Sequence, residues 1–173
     1  MTVIEIGHSV AAPYAGLVLA ELGAEVIKVE RPGTGDDARA WGPPFVDEMS
    51  AVFHALNRHK KSVAVDLKSP EGIEEVRRLA ASADAVIQNL KPGLAKSVGL
   101  GPEVLCAENP RLIYASIHAF GDKGPLAARP GYDPLMQAFG GIMSTQGETG
   151  RPSVRVGTSI IDMGTGMWGV MGI

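Results

Sequence analysis

Val3-Ile4-Glu5-Ile6, the segment Pro13–Gly23, and Ala24-Glu25-Val26-Ile27-Lys28-Val29-Glu30 together decide the fold. The first is a short apolar run that predicts a buried strand. Pro13 belongs in a first helical turn and Gly23 just past a helix end, so the chain between them predicts a helix. Its only charge is Glu21, which predicts burial over most of its circumference. Val26, Ile27 and Val29 make the third segment a second strand. Strand, buried helix and strand within about thirty residues form the signature of a βαβ unit.

The pattern continues outward from this unit. Arg31–Pro44 reads as a loop rich in glycine, proline and charge, Ser50–Asn57 as a short helix and Ser62–Leu67 as a strand. Ser69-Pro70-Glu71 carries a capping hydroxyl, a proline and an acid, which mark a helix start. Ile73, Val76, Leu79 and Ala80 follow at helical spacing. Ala85–Gln88 predicts a strand, Pro102–Glu108 a short helix and Leu112–Ile117 another strand. Repeated β and α elements predict an α/β fold with a parallel sheet of Rossmann type. After Phe120 glycine, proline and methionine become frequent. Helices are expected there at Pro134–Phe139 and Ile160–Val170, in an active-site region or an excursion from the sheet.

Composition narrows the function. The net charge of −3 over 173 residues gives no global attraction to nucleic acid or an anionic membrane. The one cysteine, Cys106, forms no internal disulfide and is expected to be a buried bystander. No basic leader opens the chain and no apolar run reaches a membrane-spanning length of about 18 residues. A cytoplasmic protein is therefore expected. From Met163 to Ile173 there is no charge; an apolar helix ending the chain this way is expected to reflect truncation, or cover by a second chain.

Ligands of open parallel sheets lie beyond the carboxyl ends of the strands. Gly7–Pro13 with His8, Arg31–Arg39 with Arg31, and Asn89–Gly93 with Asn89 and Lys91 fall there. They read either as polar connections or as the cations and backbone amides of a phosphate site. No Gly-x-Gly-x-x-Gly follows a strand, and no Walker lysine loop is present. The basic cluster Asn57-Arg58-His59-Lys60-Lys61 reads as a solvated face or as a phosphate contact. Histidines 8, 54, 59 and 118 lack metal-ligand spacing, so no metal site is expected. Asp162 stands alone in an apolar, charge-free stretch. It reads as a helix N-cap or as a functional acid, and a helix N-terminus would serve both by favouring the carboxylate.

Taken in order, several stretches resemble the class III CoA-transferases, the CaiB/BaiF-type family with formyl-CoA and carnitine-type members. They are Gly7-His8…Ala12-Pro13, Leu22–Asp36, Leu56-Asn57-Arg58, Ser62–Lys68, Asn89-x-Lys91-Pro92-Gly93, Asn109–Tyr114, Pro130-Gly131-Tyr132-Asp133 and Asp162-Met163-x-Thr165-Gly166. The resemblance covers nearly the whole chain. It implies that residues 1–173 are the N-terminal part of an incomplete Rossmann-like large domain, with the small domain and the C-terminal return absent. It implies a homodimer, interlocked at full length, or a complementary chain.

The resemblance places the family's catalytic aspartate on Asp162. The implied reaction moves CoA from an acyl-CoA to a carboxylic acid acceptor through an aspartyl-CoA thioester. Coenzyme A is the implied co-substrate. His8, Arg31, Leu56, Asn57, Lys60, Asn89 and Lys91 are its implied contacts, and Tyr132 is expected near the thioester. Val10 replaces the glutamine of the formyl-CoA enzyme, which argues against that substrate. The α-methylacyl-CoA racemases share the fold but carry Gly-His-Asp where this chain has Gly131-Tyr132-Asp133, and tyrosine is a poor substitute for histidine as acid–base. A non-catalytic CoA-binding fragment, or one half of a split enzyme, is the other alternative. The donor and acceptor acids are not legible in the sequence.

Overall fold

The computed structural model describes residues 1–173. Its main sheet has five parallel strands: β1 (Thr2–Ile6), β2 (Glu25–Glu30), β5 (Lys61–Ala64), β6 (Ala85–Gln88) and β7 (Ile113–Ser116), in the order β5-β2-β1-β6-β7. The register pairs Ile4 with Ile27 on one side and with Val86 on the other. β1 is therefore central, and the strand order reverses between β1 and β6. A small antiparallel ribbon, β3 (Phe45–Val46) with β4 (Met49–Ser50), stands apart.

Alternation along β1 explains the layers. Ile4 and Ile6 point to one face, where they pack with Val29, Val86, Leu100 and Leu105 and with Val76 and Ala80 of α3 (Pro70–Ala81). Val3 points to the other face, onto Ala12, Ala15 and Leu19 of α1 (Ala11–Glu21). Burying a Val, Ile or Leu side chain fully stabilises by about 1.5–3 kcal/mol, so both faces of this strand hold the sheet between helices. The α3 start is as expected: Ser69 Oγ accepts from Gly72 N at 3.0 Å, with Pro70 in the first turn. α2 (Ala51–Asn57) is capped by Ser50 in the same way, and α4 (Leu94–Ser97) and α5 (Pro102–Glu108) lead to β7.

Several expected boundaries move by one to three residues, two of them beside the ligand loops. The βαβ helix begins at Ala11, so Pro13 is its third residue and remains within the first turn, where its missing N–H costs nothing. β5 ends at Ala64 rather than at Leu67. Val65 N still donates to Glu30 O at 2.8 Å, but Asp66 then caps a turn by accepting from Lys68 N.

Beyond β7 come α6 (Asp133–Phe139) and α7 (Ile160–Gly172). α7 lies against α1, and Gly166 is the point of closest approach: a Cβ there would sit 2.8 Å from Ala11 O. Val170 and Ile173 complete the apolar layer over α1, while Trp168 and Met171 on the outer side are 73% and 70% exposed. No helix is long and apolar enough to cross a membrane.

Candidate active site at the strand-order reversal

The loops that leave β1 and β6 diverge at the point where the strand order reverses, which is where an open α/β sheet makes its ligand crevice. Asn89 ties them together. Its Oδ1 accepts from His8 N at 3.0 Å, and its Nδ2 donates to His8 O at 2.9 Å. The amide is thus spent on holding the β1 loop in place. The His8 ring is held by Ser9 Oγ at 3.0 Å from Nδ1. Burial lowers the His8 pKa, with the negative charge of Asp36 opposing it, so the ring is neutral at pH 7.

Ser9 has a left-handed backbone, φ 67°, which is costly for a residue with a Cβ. Asp36 Oδ1 supports it by accepting from Ser9 N at 3.0 Å and also takes the Ala38 N–H at 2.9 Å. The other Asp36 oxygen pairs with Lys28 Nζ at 2.9 Å. Lys28 also reaches Glu5 Oε1 at 2.7 Å and Gly7 O at 2.9 Å. Glu5 Oε2 pairs with Lys60 Nζ at 2.7 Å. Four charges balance in this buried cluster below the site. Burial pulls the Lys28 pKa down, but Glu5 and Asp36 more than reverse this and hold it above its ordinary value. At Lys60 burial wins over Glu5, and the pKa falls to about 8.

Two clefts open above these loops. The larger, about 1070 Å³, runs over the carboxyl ends of β1, β2 and β5 and is lined by His8, Arg31, Lys91 and Tyr132, with Val65–Pro70 and Ile73. It is large enough for a nucleotide-sized ligand. The smaller, about 160 Å³, adjoins it through His8, Leu90, Lys91 and Tyr132. Val10, Asn89, His118, Arg129 and Asp162 complete its polar and apolar wall.

Asp162 is the third residue of α7 and does not cap the helix, contrary to one of its two sequence readings. Ser159 occupies the cap position without a side-chain hydrogen bond. The acceptor comes from another helix: Asp133 Oδ2 takes Ile161 N at 2.7 Å and Asp162 N at 3.2 Å. The Asp162 carboxylate is left facing the small cleft. Burial, and then the charge of Asp133, push its pKa up to about 6, outweighing the helix terminus that would lower it.

The structure therefore brings His8, Asn89, Lys91, Tyr132 and Asp162 to one small cleft, and places Arg31 in the adjoining large one. Arg31 is braced by its own loop, donating to Gly35 O at 3.1 Å and pairing with Asp37. Leu56, Asn57 and Lys60 line neither cleft. Leu56 is buried in α2, Asn57 donates to Phe53 O, and the Lys60 ammonium is enclosed by Glu5, Pro13 O and Asn57 Oδ1. Sequence reading missed Asp66, Leu67 and Lys68 in the large cleft, and His118 and Arg129 in the small one. The strand-end rule applied to β5 and β7 would have found Asp66–Lys68 and His118; no local signal marks Arg129.

This arrangement can be compared with known proteins. The model of CoA-transferase family III matches residues 1–173. The chain belongs to CoA-transferase family III. Among its relatives, a succinate–glutarate CoA-transferase of Agrobacterium fabrum is 48% identical over 99% of this chain and 44% of its own length. Human succinyl-CoA:glutarate CoA-transferase is 42% identical over 96% of this chain and 38% of its own. A crystal structure of a CaiB/BaiF family protein from Brucella suis superposes with a TM-score of 0.95 at 47% identity, covering 99% of this chain and 46% of that one. This family III chain thus spans less than half the length of the relatives it matches.

Proposed function

We propose that this chain supplies the acyl-CoA cleft and the nucleophilic carboxylate of an enzyme that moves CoA from an acyl-CoA to a carboxylic acid. Residues 1–173 then form the N-terminal part of the large domain. The observation that carries the reading is the position of Asp162, a half-buried carboxylate at the strand-order reversal beside a nucleotide-sized cleft. Membership in family III supports it. The names of the relatives extend it to succinyl-CoA as donor and a short dicarboxylic acid as acceptor. Lys91, His118 and Arg129 around the small cleft suit a substrate that carries more than one negative charge.

The steps follow from a carboxylate nucleophile. An Asp162 oxygen attacks the thioester carbonyl, the C–S bond breaks, and CoA leaves as thiolate. The thiolate attacks the aspartyl carbonyl of the resulting anhydride, which releases the donor acid as its carboxylate and leaves CoA on Asp162 as a thioester. An acceptor carboxylate attacks that thioester and expels the thiolate again. Attack of the thiolate on the acceptor's carbonyl then forms the new acyl-CoA and returns Asp162 as carboxylate. No proton is consumed, and the thioester bond is conserved provided water is excluded.

With a pKa of about 6, Asp162 is ionised at neutral pH and more basic than an ordinary aspartate. Arg31, Lys68 and Lys91 provide the cations for the CoA phosphates in the large cleft. Incubation of the whole polypeptide with succinyl-CoA, followed by hydroxylamine trapping and intact-mass measurement, tests the reading. An adduct that maps to Asp162 and is lost in Asp162→Asn is expected. Absence of any adduct in a folded protein that still binds CoA would overturn it.

A further inference from the structure

Asp133 is 2% exposed and has no cation beside it. A buried carboxylate in such surroundings is costly unless hydrogen bonds satisfy it. Its partners are all amide N–H groups. Oδ2 takes the Ile161 and Asp162 N–H groups at 2.7 and 3.2 Å, and Oδ1 accepts from the Gln137 side-chain amide. Gln137 is fully buried one helical turn on. Its Oε1 accepts from Val156 N at 2.7 Å, and its Nε2 also lies 3.4 Å from Thr158 O. The two side chains join α6 to the segment that enters α7. Ser159 contributes nothing to that cap. The direction in which Asp162 leaves the helix therefore rests on Asp133.

We propose that Asp133 is a positioning residue for Asp162, its buried carboxylate, clamped by Gln137, fixing the first turn of α7 at the wall of the small cleft. The inference rests on the reading of Asp162 as nucleophile and deepens it. Two consequences follow from the one contact. The reactive carboxylate cannot swing with a fraying helix end, since the N–H groups that would fray are bonded. The same contact sets a second negative charge behind the nucleophile and occupies the N–H groups that would otherwise stabilise its ionised form. Its basicity rises accordingly. Around the Asp162 carboxylate the other titratable groups are His8, Lys91, His118, Arg129 and Tyr132. No other carboxylate is among them, and Asp133 is the charge that acts on the Asp162 pKa.

The test is made on the whole polypeptide and has a readout independent of turnover. Carboxyl-carbon NMR would follow the titration of Asp162 in the parent and in Asp133→Asn, which keeps the shape and removes the charge. The midpoint is expected to fall by about one unit in the variant, and the rate of adduct formation by about tenfold at saturating acyl-CoA with little change in KM. An unmoved midpoint in a folded variant overturns the inference. If Asp133→Asn does not fold, Gln137→Met is used, which releases the clamp and leaves the charge. Amide exchange at Asp162 is then expected to accelerate by about tenfold, and unchanged exchange overturns the inference. A parent that titrates and exchanges as expected but forms no adduct would count against the nucleophile reading alone.

Discussion

Replacing Lys28 by methionine removes the ammonium group that joins three parts of the site wall. Its side chain is 1% exposed and contacts Glu5 at 2.7 Å, Asp36 at 2.9 Å and Gly7 O at 2.9 Å. Methionine fills a similar volume, so the loss is mostly electrostatic. Removing one partner of a buried ion pair costs about 3–5 kcal/mol, because the other charge stays buried and unpaired. Glu5 keeps Lys60 at 2.7 Å, so the deficit falls on Asp36 and the cost is expected near the lower end, about 3 kcal/mol. Urea unfolding of the whole polypeptide by far-UV circular dichroism measures it. Adding Asp36→Asn should recover about 1–3 kcal/mol relative to the sum of the single variants. A cost below about 1 kcal/mol, or strict additivity, would refute the account of the cluster as one balanced unit.

The remaining predictions concern α7. The folded pKa of Asp162, about 6, lies above the ordinary aspartate value of 3.8, so its contribution to stability is fully present below about pH 4 and is lost as pH rises through 6. Asp162→Asn is therefore expected to stabilise the folded protein at pH 7.5 and to converge with the parent in acid. The shift sets a ceiling of about 3 kcal/mol, reduced to about 1–2 kcal/mol by solvent reaching the carboxylate from the cleft; a variant less stable than the parent at pH 7.5 would contradict it. Gly166→Ala places a methyl group 2.8 Å from Ala11 O and 3.2 Å from Ala15 N, so α7 must lift off α1. A loss of about 1–3 kcal/mol in chemical unfolding is expected, together with slower adduct formation, and an unchanged unfolding midpoint would show that the two helices can separate freely.

What the sequence made legible follows from how local each signal is. β1, α1 and β2 were readable because most of their residues are apolar and buried, and because Pro13 and Gly23 mark the ends of the helix locally. The boundaries of β6 and α5 matched their expected ranges, β6 because it is a fully buried, mostly apolar run and α5 because Pro102 marks its start. The β3–β4 ribbon was not anticipated, because its turn uses Asp47 and Glu48 at positive φ where the usual signal is glycine or asparagine. Lys60 read as part of a solvated basic face or as a phosphate contact, since nothing within a few residues reveals that Glu5 will sit opposite it. The cap role considered for Asp162 failed for a related reason. A cap is expected from the residue before a helix, yet this one comes from Asp133, 28 residues away from Ile161.

These cases share one construction. The segments that wall the clefts are held by single side chains that bond a distant backbone: Asn89 on His8, Asp36 on Ser9, and Asp133 on Ile161 and Asp162. Each such side chain is polar and buried or half-buried, so its polarity reads in the sequence as a candidate ligand contact, while in the fold its bonding capacity is already used. Asn89 illustrates the consequence: its amide cannot bind a phosphate without releasing His8. The groups whose side chains are not spent in this way line the clefts, Lys91, Tyr132 and Asp162 among those foreseen, and Lys68 and Arg129 among those missed, while Arg31 reaches the large cleft from a loop that it also braces. A site of this kind separates the residues that hold from the residues that react. If Asp162 is the nucleophile we propose, it sits in a partly apolar cleft at raised basicity, its position maintained by bonds from Asp133 to the N–H groups of Ile161 and Asp162 and not by bonds to its own oxygens.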